Sequence, residues 1–148
     1  MINTLIAGVG SILMGDDGIG VRVIEELEKE ILPENVRLHS GDVSGLDLLK
    51  VFPGFDSIVI IDAADMGEEA GSIKVLNFDS IKKAQFNDQF STHGMALLET
   101  LTLAEKLDLA ENIKIVGVQP VSTDFSLELS DIIKEKIPEI IEVVKTLY

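Results

Sequence analysis

A chain of 148 residues with 46% hydrophobic content matches one ordinary domain, 1–148, and can bury a sizeable core, built mainly from Ile, Leu and Val because aromatics make up only 5%. The absence of cysteine excludes disulfides, thiolate nucleophiles and cysteine metal sites together. A formal net charge of −14, with 12 basic against 26 acidic residues, argues against nucleic acid and against an anionic membrane surface, while the same field would welcome a metal or a basic segment of a partner.

The N-terminus, Met1-Ile2-Asn3-Thr4, has neither a charged n-region nor a long apolar h-region, and no apolar run long enough to span a bilayer follows. The expectation is a cytoplasmic protein without membrane insertion. Thr4-Leu5-Ile6-Ala7 reads as a buried first strand, and the stretch after it holds five glycines between Ala7 and Gly20. Gly8 and Gly10 suggest a dinucleotide fingerprint, but the third glycine of G-x-G-x-x-G falls on Leu13, where close helix–strand packing needs no side chain. Asp16 and Asp17 would also repel a pyrophosphate. These glycines therefore present acids instead of cradling phosphate.

Ile19, Val23, Ile24, Leu27 and Ile31 recur at helical spacing, and Pro33 stops that helix. Val36 to Ser40 alternates as a second strand, and a short helix over Leu46 to Val51 ends before Pro53-Gly54. Ser57-Ile58-Val59-Ile60-Ile61 is the strongest strand signal, its unbroken apolar run implying burial on both faces as in a central parallel strand. Ser72 to Leu76 follows with no room for a crossover helix, so it should be an antiparallel edge strand. Residues 79 to 92 read as a loop with a helical turn, and Met95 to Leu107 as a helix with Leu97, Leu98, Leu101, Ala104 and Leu107 inward. Asn112 to Val118 is the last strand. Ser130 should cap a final helix with Ile133, Ile137, Ile140, Val144 and Leu147 on its apolar face, and Pro138 should bend or restart it. The alternation implies a three-layer α/β/α sandwich around a mostly parallel five-stranded twisted sheet with one antiparallel edge strand.

In such sheets ligands gather outside the carboxyl ends of the strands. Asp17 lies just beyond strand one, Asp62 ends strand three, and His93 opens a helix. Two carboxylates and an imidazole make an O,O,N set suited to a divalent transition metal with open positions. Each residue also has a structural reading: Asp62 as a turn cap, His93 as a helix-start histidine, Asp16 and Asp17 as acids at the positive end of a helix dipole. His39 in its strand reads as structural. Separations of 45 and 31 residues between Asp17, Asp62 and His93 form no local motif.

The chain closely resembles the hydrogenase maturation endopeptidases, most of all the branch serving hydrogenase 3 type enzymes. The resemblance rests on Gly8 to Gly20, Ile61-Asp62-Ala63-Ala64-Asp65-Met66-Gly67, Ser91-Thr92-His93-Gly94-Met95, Gly117-Val118-Gln119-Pro120 and Leu129-Ser130, in order along nearly the whole chain. It implies that Asp17, Asp62 and His93 bind metal and recognise nickel already inserted into a nickel-iron hydrogenase large-subunit precursor. It further implies endopeptidase cleavage of that partner's C-terminal extension, with Asp17, Asp62 and His93 as the catalytic set; if the metal serves only for docking, a carboxylate, Asp16 or Asp17, has to act as general base. Nickel carried by the precursor is the implied metal, and other divalent ions could occupy the same ligands. A different class, a non-catalytic nickel- or precursor-binding maturation chaperone, would use the same rim. The chain departs from the family at Ser11, where many relatives have asparagine, and at Ser40-Gly41-Asp42-Val43, which replaces Asp-Gly-Gly-Thr.

Overall fold

The structure, a computed structural model, describes residues 1–41, 45–83 and 94–148. Five strands form one sheet: β1 (Thr4–Val9), β2 (Val36–Gly41), β3 (Ser57–Ala63), β4 (Ile73–Asn77) and β5 (Asn112–Val118), in the order β2-β1-β3-β5-β4. Neighbours among β2, β1, β3 and β5 pair parallel, while β4 pairs antiparallel with β5, Ile73 opposite Val118 and Asn77 opposite Lys114. β3 thus lies between two parallel neighbours, as its unbroken apolar run requires. Its alternate side chains go to opposite layers. Ile58 and Ile60 join Leu5, Ala7 and Ile115 under the helices α2 (Gly45–Val51), α3 (Phe78–Lys83) and α4 (Gly94–Lys106). Val59 and Ile61 join Ile6 and Val116 under α1 (Ile19–Leu27) and α5 (Asp131–Lys145). This is the three-layer sandwich expected. No described helix is long and apolar enough to cross a membrane.

Several expectations need correction. The first helix ends at Leu27, and Ile31 is fully exposed instead of lying on the core face. After Leu27 the amides of Lys29 and Glu30 donate to carbonyls only three residues back, those of Glu26 and Leu27, so the α-helical ladder tightens into a turn and ends. Leu107 is likewise exposed, because α4 ends at Lys106 and Asp108 takes a left-handed φ of 54° that turns the chain out of the helix. Within 79 to 92 the described part is α3, which drops Phe78 and Ile81 into the core. α5 runs without a break through the exposed Pro138. Ser130 does occupy the N-cap position of α5, but its hydroxyl makes no capping bond. His39 sits in edge strand β2 opposite Ala7.

One close contact fixes how α1 meets the sheet. A Cβ on Gly20 would lie 2.2 Å from the Ile61 carbonyl oxygen and 2.8 Å from that of Val9, and one on Gly8 would lie 2.2 Å from the Gly20 carbonyl oxygen. Position 13, where a dinucleotide turn would need its third glycine, is an exposed leucine outside any helix. The glycine of α1 that packs against the sheet is Gly20, seven residues further on.

Candidate active site

Between β1 and α1 the chain forms a loop and then a 3-10 turn, Gly15–Gly18. Gly10 (φ 125°) lets the chain leave the strand sharply, and Gly15 (φ 58°) packs within 2.9 Å of the Ser122 carbonyl oxygen, measured from where its Cβ would be. The turn packs against β3. It delivers both of its aspartates into the interior: Asp16 is fully buried and Asp17 is 5% exposed. Asp62, at the carboxyl end of β3, is 1% exposed. Among the described residues these three are the buried charged side chains, and all belong to the same rim of the sheet. Burial of an ionised carboxylate costs several kcal/mol, on the order of the whole stability of a domain when summed over three, unless each is hydrogen-bonded or ligating.

Asp16 meets that cost within the protein. Its Oδ2 accepts hydrogen bonds from the Val121 amide at 2.9 Å, the Ser122 amide at 3.1 Å and the Ser130 hydroxyl at 2.8 Å, while Oδ1 accepts from the Ser130 amide at 2.7 Å. Four bonds fill the acceptor capacity of a carboxylate. The candidate role of Asp16 as a base therefore gives way to a structural one. It ties the turn after β1 to the loop after β5 and to the start of α5. This also explains Ser130, whose hydroxyl donates to Asp16 and so is not spent on its own helix.

Asp17 Oδ2 accepts from the Ser11 amide at 2.9 Å, closing the loop onto the carboxylate. Ser11 uses its hydroxyl locally, accepting from the Leu13 amide at 3.2 Å. Asp62 stands opposite Gly117 of β5 and shares the parity of Ile58 and Ile60, the face covered by α4. The link from α4 to β5 is only five residues, so α4 runs antiparallel to β5 and its Gly94 end lies at the carboxyl rim. His93, the residue before Gly94, and Asp42 lie outside the described residues. Among the described residues no cluster of three metal-ligating side chains occurs. What is described is the carboxylate part of the expected set: two buried acids, one at each of two adjacent strand ends.

Gln119, which the sequence marked only as part of the Gly117-Val118-Gln119-Pro120 stretch with no role of its own, is a positioning residue. Its side-chain oxygen accepts from the Met66 amide at 2.7 Å and the Glu68 amide at 3.3 Å, and its nitrogen donates to Asp65 Oδ1 at 3.2 Å. It thereby holds the loop that follows Asp62 against the end of β5. A lone Gln-Pro after a strand carries no local signal of this; only pairing across the rim reveals it.

The sheet order, the glycine-packed first helix and the buried rim carboxylates define an α/β protein with buried acids at the carboxyl ends of β1 and β3. Residues 21–146 match the family described as HycI, hydrogenase maturation protease. The chain belongs to the hydrogenase maturation protease family. It is 31% identical over 140 residues to the hydrogenase 2 maturation protease of Escherichia coli K12, covering 93% of this chain and 85% of that protein. It is 34% identical over 141 residues to the hydrogenase expression/formation protein HupD of Thiocapsa roseopersicina, covering 93% of this chain but spanning only 64% of the relative's length. The solved structure of the hydrogenase maturating endopeptidase HybD from E. coli superposes with a TM-score of 0.86 at 29% identity, covering 99% of this chain and 91% of that one. The five-stranded sheet is therefore the family's fold.

Proposed function

We propose that this protein is an endopeptidase that removes the C-terminal extension of a nickel-iron hydrogenase large-subunit precursor after nickel insertion. The observation that carries the reading is the pair of buried carboxylates, Asp17 and Asp62, at one strand rim in a member of the hydrogenase maturation protease family. Their chemistry suits a divalent transition metal: anionic oxygen donors, with His93 as the imidazole that would complete an O,O,N set. Nickel is here part of the substrate, since it arrives in the precursor. Bound at the rim, it would supply Lewis acidity beside the scissile carbonyl.

The chain's own contribution is positional. The Asp16 anchor and the Ser11–Asp17 bond fix the turn that carries Asp17, and Gln119 fixes the loop after Asp62. Ligands held this way lose little freedom on binding, so more of the binding energy remains to orient the peptide bond. The order of events follows: a precursor without nickel lacks the group that anchors it and is spared.

Incubation with nickel-loaded and nickel-free precursor, with the C-terminus read by mass spectrometry, tests this directly. Loaded precursor should lose its extension and nickel-free precursor should not. Asp17→Ala, Asp62→Ala and His93→Ala should each fold and fail to process. Normal processing by all three variants, or binding of loaded precursor by the parent protein with no peptide released, would overturn the reading.

A further inference from the structure

The two loops that frame the rim expose apolar side chains. Ile12, Leu13 and Met14 on one loop, and Val121, Phe125 and Leu127 on the other, all stand in water, Phe125 at 76% exposure and Leu13 at 50%. They form one surface because the loops are bonded together. The Ser126 amide donates to the Leu13 carbonyl at 3.0 Å, the Gly15 amide donates to the Ser126 carbonyl at 3.0 Å, and Met14 and Ser126 form a parallel bridge. Behind this ribbon, Asp16 grips Val121, Ser122 and Ser130. The apolar side chains are thus displayed on a pre-ordered support, which reduces the ordering cost of binding. A single exposed leucine is ordinary, but a contiguous set on a rigid ribbon marks a contact surface.

Charge selects the occupant. The ribbon and its flanks carry Asp16, Asp17, Asp124, Glu128 and Asp131; the cation that reaches it, Arg22, donates to the Leu127 carbonyl at 3.2 Å and is itself ion-paired with Glu25, so the surface stays net acidic. Asp124, Glu128 and Asp131 are exposed around the apolar side chains. A second copy of this chain would bring like charges together across a two-fold contact, which is unfavourable. An apolar segment flanked by basic residues matches both features. The ribbon is also continuous with the candidate site, since Ile12 to Met14 lie between Ser11 and Asp17, the two residues that bond across its base.

We propose that this ribbon is the docking surface for the hydrogenase large-subunit precursor, receiving an apolar, basic-flanked segment beside the C-terminal extension. The proposal rests on the endopeptidase reading and adds to it where the substrate is gripped. Its test is a steady-state comparison of the parent protein with Leu13→Ser/Phe125→Ser, using the nickel-loaded precursor encoded in the same genome. Removing two anchors of a contact surface should raise KM about tenfold or more, with kcat within about twofold and an unchanged melting curve. Asp124→Lys provides an independent variant on an exposed side chain: KM should rise at low salt, and the difference should shrink as salt screens it. Cleavage by the parent protein with unchanged KM in both variants overturns the docking surface and leaves the endopeptidase reading standing. Failure of the parent protein to bind or cleave any loaded precursor overturns both. A parent dimer that becomes a monomer on Leu13→Ser/Phe125→Ser, seen by sedimentation, would assign the ribbon to self-association and overturn the proposal as well.

Discussion

Replacing Asp16 by asparagine changes one atom and should cost this fold more than almost any other conservative exchange. Both carboxylate oxygens accept: three bonds at Oδ2 and one at Oδ1. An amide nitrogen must take one of these places, and the less costly choice sets it against the Ser130 amide, donor facing donor at 2.7 Å. That bond is lost inside the protein, a penalty of about 1–3 kcal/mol. The remaining three lose the assistance of the charge, roughly halving each, or about 0.5–1 kcal/mol apiece. Easier burial of a neutral group offsets part of the total, leaving a net loss of about 3 kcal/mol. For a chain of this length that corresponds to a fall in Tm of roughly 6–12 °C. Thermal and urea unfolding followed by circular dichroism measure it. Ser130→Ala, which removes only the hydroxyl bond, should cost about 1 kcal/mol. Below its Tm, Asp16→Asn should still process precursor, whereas Asp17→Asn should not. An Asp16→Asn protein that melts within about 2 °C of the parent would refute the assignment of Asp16 as an anchor.

Gly20→Ala drives a methyl group into the Ile61 carbonyl oxygen, where the Cβ position lies at 2.2 Å, so α1 must lift off the sheet; a loss of about 3 kcal/mol or more in urea unfolding is expected. Pro138→Ala restores an amide donor inside α5 at an exposed position and should raise stability by about 1–3 kcal/mol in the same assay. Tyr148 is the one tyrosine in a chain without tryptophan, so its ionisation can be followed by ultraviolet absorbance. Burial raises its pKa above the ordinary 10.0, against the opposing charge of Lys145, and the absorbance midpoint should lie above that value. Because the folded pKa is the higher one, this stabilisation is complete below pH 10.0 and fades as pH rises through the folded value.

Local rules in the sequence were sufficient for the sheet. Two-sided burial marks Ser57–Ala63 as central, and a connection too short for a crossover makes Ile73–Asn77 antiparallel at the edge. Helix ends were less legible. Ile31 and Leu107 continue their helical periodicities, yet backbone turns stop both helices first. Of the candidate site, the placement of Asp17 and Asp62 at strand ends could be read from where apolar runs stop, because strand polarity dictates which ends share a rim.

The sequence by itself determined a parallel α/β sandwich with acids at its carboxyl rim, since periodicity and residue type act locally. The family resemblance already singled out Asp17, but only the tertiary structure gave its neighbour Asp16 a role of its own, as an anchor. The partners of Asp16 lie 105 to 114 residues away, at Val121, Ser122 and Ser130, and no spacing in the chain encodes that meeting. The same holds for Gly20, whose need for a bare Cα comes from Ile61 on another strand, and for the ribbon that joins Leu13 to Ser126. Adjacent aspartates of identical chemistry thus take different roles, because burial and hydrogen-bond partners are properties of the folded neighbourhood.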